Sequence, residues 1–186
     1  MQKIILIRHA KVLIDSDTKV YAKDMQEWVK QYDLASVEQT PPSEDVVKLI
    51  KSSNIVLSSR LKRTADSLAI VCAKADISDP IFNEAEIPTT NGSLFKAKPK
   101  HWLVFLRVLM LLGIGKSNKS FTKSKQRAKE ASLFLIKLAK KHQSIALLGH
   151  GGMNYLITKE LEAKGFKCTK KGGGNSNWSY RVYVSS

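Results

Sequence analysis

Two of the four histidines stand where an imidazole could act on a bound ligand. His9 and His150 each come just after a short apolar run, at residues 4–7 and 145–148. Runs of that length and composition, closed by small or polar residues, are typical of buried parallel strands. Ligands bind outside the carboxyl ends of the strands in open α/β sheets, so the two imidazoles are predicted to meet in one crevice.

The residue before the first of these histidines bears on its chemistry. Arg8 places a fixed positive charge beside the His9 imidazole, which disfavours imidazolium and favours the neutral ring. A neutral imidazole has a free lone pair that can attack phosphorus and form a covalent intermediate. Such an attack divides one hydrolysis into two easier steps.

A phosphoryl transfer also needs cationic groups that hold the charged oxygens. Arginine suits this role because its planar guanidinium makes bidentate contacts and does not titrate. The chain has only six arginines, and Arg63 follows a second apolar run, at residues 55–57. It lies near the start of a predicted helix, whose N-terminus itself attracts phosphate.

The elements that would position these residues alternate along the chain. Apolar runs predict strands at residues 3–7, 54–58, 145–148 and 178–184, with a short one at 81–82. Helical patterns predict helices at residues 24–32, 44–51, 61–75, 102–112 and 153–164, and one that reaches about residue 141 after a basic connection over 116–129. This alternation predicts an α/β fold, a three-layer sandwich with a mostly parallel central sheet and helices on both faces.

Length and net charge limit the number of domains and the kinds of partner that the chain can have. The chain has 186 residues, which predicts one domain over 1–186. Its 31 Lys and Arg against 16 Asp and Glu give a net charge of +15, which favours anionic partners. The lysines are scattered and interleave with no aromatic residues or nucleic-acid motif, so a solvated surface is expected and no nucleic-acid partner.

The remaining features indicate an ordinary globular protein. Cys72 and Cys168 form no metal-ligand pattern, and Cys72 lies in an apolar helical stretch and is expected in the core. The most hydrophobic segment, residues 102–114, is too short to span a bilayer. The first residues show no secretory signal pattern. We therefore expect a cytoplasmic location, no membrane partner and flexible residues at 170–175.

Four segments in order carry a resemblance to a known family: IRHA at 7–10, SSRLKR at 58–63, FNEAE at 82–86 and GHG at 149–151. Together they resemble the histidine phosphatase superfamily, also called phosphoglycerate mutase-like, over nearly the whole chain. The resemblance implies an enzyme that needs no cofactor and no metal, and that hydrolyses phosphomonoesters through a phosphohistidine intermediate.

The resemblance also implies a role for each matching residue. His9 matches the phosphoryl-accepting nucleophile, and Arg8, Arg63 and His150 match the phosphate pocket. Glu84 matches the general acid and base at the family spacing. Glu86 is the alternative acid, because it stands in the same segment.

Departures from the family pattern narrow the assignment. Ala10 stands where the family usually has Gly, and Lys11 stands where the mutases commonly have an acidic or amide residue. The mutases' extended motif also has an Asn that this chain lacks, so the phosphatase branch is favoured over a phosphomutase. A non-catalytic phosphate-binding module is the other alternative. The substrate, a phosphorylated small molecule or a phosphoprotein, would be selected by a variable entrance segment at about 83–129.

Overall fold

The computed structural model describes residues 1–86, 95–111 and 117–185. Its strands are β1 (Lys3–Arg8), β2 (Val20–Tyr21), β3 (Ile55–Ser58), β4 (Ile77–Ser78), β5 (Lys96–Ala97), β6 (Ser144–Gly149), β7 (Phe166–Gly172) and β8 (Tyr180–Ser185). Its α-helices are α1 (Met25–Leu34), α2 (Glu44–Lys51), α3 (Lys62–Ile70), α4 (Pro99–Leu111), α5 (Ser117–His142) and α6 (Gly151–Ala163).

Six of the strands form one sheet in the order β4-β3-β6-β1-β8-β7. The first four in that order run parallel, and β8 and β7 are antiparallel to their neighbours. Arg8 pairs with Gly149, and Ser58 pairs with Leu148. The three central strands β3, β6 and β1 therefore end almost level, and the residues that follow them meet at one edge.

One face of the sheet is covered by the two helices that flank β6 in the chain. Leu6 and Leu147 on the sheet form a buried cluster with Leu135 of α5 and Ile157 of α6. Alanines recur on the buried side of α5, at Ala128, Ala131 and Ala139, and their small side chains allow close packing.

The opposite face is covered by α2 and α3. Ile5 and Leu148 on the sheet form a second buried cluster with Val46 and Ile50 of α2 and Leu68 of α3. The α/β class, with a mostly parallel sheet and helices on both faces, is therefore confirmed. A smaller cluster joins α1 to α4 beside the two-stranded β2–β5 sheet. That residues 1–186 form one domain stays a prediction.

Two local predictions around α3 were wrong. Cys72 is exposed, because the helix ends at Ile70 and the chain turns there, with a φ of 52° at Cys72. The predicted strand at 81–82 belongs to a 3-10 helix, Pro80–Phe82, whose start is held by the Asp79 side chain accepting from the Ile81 N–H. The edge strand on this side of the sheet, next to β3, lies earlier, at Ile77–Ser78.

Two segments predicted to be irregular are regular. Residues 170–172, expected to be flexible, belong to β7 and pair with β8. The basic connection predicted over 116–129 is helical from Ser117 onward. Within the variable segment at 83–129, residues 87–94 and 112–116 lie outside the described residues. None of the helices, over the ranges described, combines the length and the apolar character needed to cross a bilayer.

The central packing predicts that alanine substitutions at two leucines lower the free energy of unfolding by very different amounts. Leu147→Ala removes a fully buried side chain from β6 and is expected to lower the free energy of unfolding by about 2–5 kcal/mol. Leu133→Ala, on the outer side of α5 where the side chain is 49% exposed, is expected to cost about 0.5 kcal/mol or less. Urea denaturation followed by tryptophan fluorescence measures both, and equal losses would contradict this packing.

Candidate active site

The carboxyl ends of the three central strands bring the predicted histidines together. His9 follows β1, His150 follows β6 and Ser59 follows β3. The centroids of the His9 and His150 rings lie 5.2 Å apart, with the ring planes inclined at 59°. Both side chains are almost fully buried. The two imidazoles meet at one edge of the sheet, as predicted, and His9 lines the crevice there.

The His9 ring is held in one tautomer. Its Nδ1 lies 2.6 Å from the Ala10 carbonyl oxygen. A carbonyl oxygen can only accept, so Nδ1 carries the proton and donates it. In the neutral ring Nε2 then has no proton and presents its lone pair. His9 also lines the cavity at this edge of the sheet, so the arrangement provides a nucleophilic nitrogen.

The backbone around His9 is fixed by side chains from distant parts of the chain. The Ala10 N–H donates to Ser67 Oγ at 2.9 Å, and that hydroxyl donates to the Arg63 carbonyl at 2.6 Å. Asn177 donates its side-chain amide to the His9 carbonyl at 2.9 Å. The loop after β1 is thus tied both to α3 and to the connection between β7 and β8, which positions the His9 ring.

Arg63 links the second histidine to an acidic residue. Its guanidinium is 2% exposed, and Nε donates to His150 Nδ1 at 3.2 Å. Nη1 donates to Asp33 Oδ1 at 2.6 Å, and the Tyr32 ring lies 5.0 Å from the guanidinium carbon. Arg63 is the second residue of α3, so the helix start delivers it to the site, as predicted.

The same contacts define the tautomer of His150. Because Nδ1 accepts from Arg63, the proton of the neutral ring lies on Nε2. Nε2 then donates to Ser59 Oγ at 2.7 Å. The sequence signal for Ser59 was present, since it directly follows the β3 strand within the SSRLKR segment.

Both imidazoles are strongly biased toward the neutral form. Burial lowers the pKa of His9 from 6.5 to about 3, with further contributions from His150 and Arg63 and a smaller one from Arg8. Burial also lowers the pKa of His150 to about 2, helped by the charges of Arg63, Arg8 and Arg127. The sequence predicted the direction for His9 from Arg8, but burial is the larger cause.

Arg8 stands at the end of β1 and lines the same cavity as His9. Its Nη1 donates to the Asn175 carbonyl at 2.5 Å, and its backbone N–H donates to the Ser179 carbonyl at 2.9 Å. The connection between β7 and β8 therefore orients Arg8 as well as His9. Two of the predicted phosphate-pocket residues therefore line the cavity. Arg8 comes from the end of β1, and Arg63 comes from the start of α3, which follows β3.

The cavity has a volume of about 530 Å³ and two kinds of lining. Apolar and aromatic side chains come from the helices around it, namely Trp28, Val29, Tyr32, Leu61 and Leu103. Charged side chains come from the end of β1, from α1, α3 and α5, and from the segment after the 3-10 helix, namely Arg8, Asp33, Arg63, Arg127, Glu84 and Glu86. Among the described residues, no group of three or more His, Cys, Asp or Glu is arranged to hold a metal ion.

Glu84 is fixed at the N-terminus of α6. Its Oε1 accepts from the Met153 and Ala85 N–H groups, both at 2.9 Å, and its Oε2 accepts from the Gly152 N–H at 3.4 Å. A side chain at position 152 would bring a Cβ to 2.8 Å from Glu84 Oε1, so Gly is required for this approach. Glu86 also lines the cavity but is exposed. That Glu84 is the acid stays a prediction.

Asp33, Ser67 and Arg127 are among the residues at the site that were not predicted from the sequence. Asp33 and Ser67 carry no local signal, because their partners are 30 and 57 residues away. Arg127 lies in a lysine-rich stretch of α5. The scarcity of arginine in a chain with so many lysines is the one signal that could have identified it.

No family model and no curated protein matches the sequence, but solved structures match the fold. Phosphoserine phosphatase of Entamoeba histolytica with 3-phosphoglyceric acid aligns at a TM-score of 0.56 and 15% identity, over 99% of this chain and 91% of that one. A mutant of that phosphatase with phosphoserine aligns at a TM-score of 0.57 and 16% identity, over the same shares of the two chains. Mycobacterial glucosyl-3-phosphoglycerate phosphatase aligns at a TM-score of 0.52 and 12% identity, over 97% of this chain and 89% of that one.

These neighbours are members of the histidine phosphatase superfamily. The fold implied by the resemblance in the sequence is therefore confirmed. At identities of 12–16% the likeness shows the fold alone.

The depressed histidine pKa values predict a pH dependence of stability. Between about pH 3 and 6.5 the unfolded chain binds protons at these positions that the folded chain does not bind. The free energy of unfolding is therefore expected to rise with pH across that window, and to decrease as the pH is lowered below 6.5.

Denaturation with urea at several pH values measures this slope. His9→Asn and His150→Asn each remove one buried imidazole and are expected to flatten the slope. His101→Asn, at an exposed position in the first turn of α4, is the matched control and should leave it as in the wild type. If both buried variants keep the wild-type slope, the attribution of the slope to His9 and His150 is contradicted.

Proposed function

We propose that the protein is a metal-independent phosphomonoester hydrolase that acts through a phosphohistidine intermediate on His9. The observation that carries the proposal is the unprotonated Nε2 of a buried, neutral His9, whose ring lies 5.2 Å from that of His150 and which lines one cavity together with Arg63. The shared fold with phosphatases supports the reaction class. The rest of the proposal is built from the side chains around that nitrogen.

The phosphoryl group of the substrate is held by Arg8, Arg63 and His150. The contacts of Arg63 to His150 and Asp33 use two of its five N–H donors, so others can bind phosphate oxygens. A bound phosphate dianion favours the protonated form of a neighbouring imidazole. Protonation of His150 at Nδ1 ends its acceptance from Arg63 Nε, so His150 becomes a charged donor and the Arg63 Nε–H is released for the phosphate. The phosphate thus supplies the anion that the buried cations require.

The reaction proceeds in two displacements at phosphorus. His9 Nε2 attacks the phosphorus, the bond to the leaving oxygen breaks, and Glu84 donates its proton to that oxygen. Glu84 then accepts a proton from a water molecule, the water oxygen attacks the phosphorus, and the N–P bond breaks. Inorganic phosphate leaves, and His9 returns to its original state.

The substrate is a phosphorylated small molecule or a phosphoprotein, and the cavity favours the former. A volume of about 530 Å³ with apolar and aromatic walls accommodates a compact organic leaving group. The structural neighbours named for phosphoserine and glucosyl-3-phosphoglycerate act on molecules of that size. The proposal places the protein in the cytoplasm, with no nucleic-acid or membrane partner and no cofactor.

Turnover of an aryl phosphate tests the reaction. With p-nitrophenyl phosphate and a chelator present, the wild type is expected to release nitrophenol and phosphate. His9→Ala is expected to be inactive, because the nucleophile is gone. Arg63→Ala is expected to lose on the order of 10²–10³-fold in kcat, because a buried donor to the phosphoryl group is removed. His101→Ala is the control and should keep full activity.

Trapping the intermediate separates this reaction from its alternatives. Alkaline quenching during turnover, followed by mass spectrometry of peptides, is expected to locate phosphate on His9. Phosphate binding without turnover of any ester would show a non-catalytic module. Transfer of phosphate to a second metabolite faster than hydrolysis would show a phosphomutase.

A further inference from the structure

Arg127 of α5 holds the main chain on both sides of Glu84. Its Nη2 donates to the Asn83 carbonyl at 3.1 Å and to the Glu84 carbonyl at 2.7 Å. The side chain is half-buried and lines the same cavity as His9. No sequence motif assigns a role to this residue.

Glu84 is therefore held from two helices at once. Its carboxylate accepts from the N-terminus of α6, at Met153 and Gly152, and its carbonyl accepts from α5 through Arg127. Just before it, Phe82 is fully buried and stacks on Phe134 of α5, with ring centroids 5.9 Å apart. The contacts from α5 thus hold the segment that leads into Glu84 as well as the residue itself.

The contact pattern suits arginine and not lysine. One terminal nitrogen of a guanidinium carries two N–H groups in a fixed plane, so it can serve two successive carbonyls. Burial lowers the pKa of Arg127, while the charges of Glu86 and Glu84 raise it. A guanidinium stays charged under such conditions, whereas a buried ammonium discharges more readily.

The direction of the Glu84 carboxyl group depends on the main chain that carries it. Oε1 accepts from the Met153 and Ala85 N–H groups at 2.9 Å, and Oε2 accepts from the Gly152 N–H at 3.4 Å. These contacts need the main chain at Glu84 to keep its orientation, and that orientation is what Arg127 holds.

We infer that Arg127 is a positioning residue for the general acid of the proposed hydrolysis. It touches neither the phosphoryl group nor the nucleophile in this account, and its effect on protonation of the leaving oxygen is exerted through Glu84. The inference rests on the proposed function, because it needs a step in which Glu84 protonates a leaving oxygen. Its consequence is that Arg127 matters in proportion to the leaving group's need for a proton.

Two esters with different leaving groups test this. 2,4-Dinitrophenolate leaves as a stable anion without a proton, whereas the alkoxide of 2-phenylethyl phosphate must be protonated. Arg127→Ala is expected to lower kcat/KM about 10²-fold for the alkyl ester, the scale of general acid catalysis, and about 3-fold or less for the dinitrophenyl ester. Because kcat/KM ends at the first irreversible step, it reports phosphoryl transfer to His9 and not the later hydrolysis.

The ratio of the two kcat/KM values does not depend on how much of a variant is folded. A variant that is partly unfolded loses the same factor with both esters, so the ratio isolates the effect on the acid. Arg181→Ala, at an exposed position on β8, is the matched control and should leave the ratio unchanged. Arg127→Lys should recover part of the alkyl activity, since an ammonium can still donate to a carbonyl.

A second measurement asks whether Arg127 acts through Glu84. Glu84→Gln removes the proton donor, and adding Arg127→Ala to it should cause no further loss beyond about 3-fold with the alkyl ester, because residues that act as a unit are not additive. Equal losses with both esters, or full additivity in the double variant, would overturn the inference while the hydrolase stands. A wild type inactive on both esters would overturn the proposed function, and the inference with it.

Discussion

A guanidinium buried between a carboxylate and an imidazole is the interaction on which the site depends. Arg63 is 2% exposed and is held by Asp33 on one side and His150 on the other. A buried charge is costly to leave unpaired, so the surroundings of Arg63 must either compensate it or stay uncharged. Asp33 compensates it in part, and both histidines stay neutral beside it, as their lowered pKa values show.

This arrangement explains why the site suits an anion. Arg63, Arg8 and Arg127 bring positive charge to a cavity in which the imidazoles are uncharged. A phosphate dianion adds the missing negative charge and favours protonation of His150. The same burial leaves His9 Nε2 unprotonated, so one electrostatic constraint both attracts the ligand and keeps the nucleophile ready.

The sequence predicted the parts of the site that are encoded locally. His9, His150 and Arg63 stand at the ends of apolar runs, and parallel strands in register bring such ends together. Asp33, Ser67 and Arg127 act through partners far along the chain, and their surroundings in the sequence resemble those of surface residues. Gly152 makes room for the Glu84 carboxylate, which comes from 68 residues earlier in the chain.

The errors in the fold have similar causes. Residues 170–172 are polar because they lie on an edge strand with exposed side chains, and the pairing with β8 holds them in place. The pattern over 61–75 continued past the point where α3 ends, so Cys72 was assigned to a core that it does not reach. Tertiary pairing and helix termination decided both outcomes, and neither is visible in periodicity alone.

The protonation state of the His9 ring tests the central claim most directly. Long-range ¹H–¹⁵N correlation spectra of protein labelled at histidine, recorded at pH 7 without ligand and assigned with His9→Asn, report which ring nitrogen carries the proton. The account predicts a neutral His9 ring protonated at Nδ1, with the chemical shift of an unprotonated nitrogen at Nε2. A charged ring, or a proton on Nε2, would contradict it, because neither form presents the lone pair that attacks phosphorus.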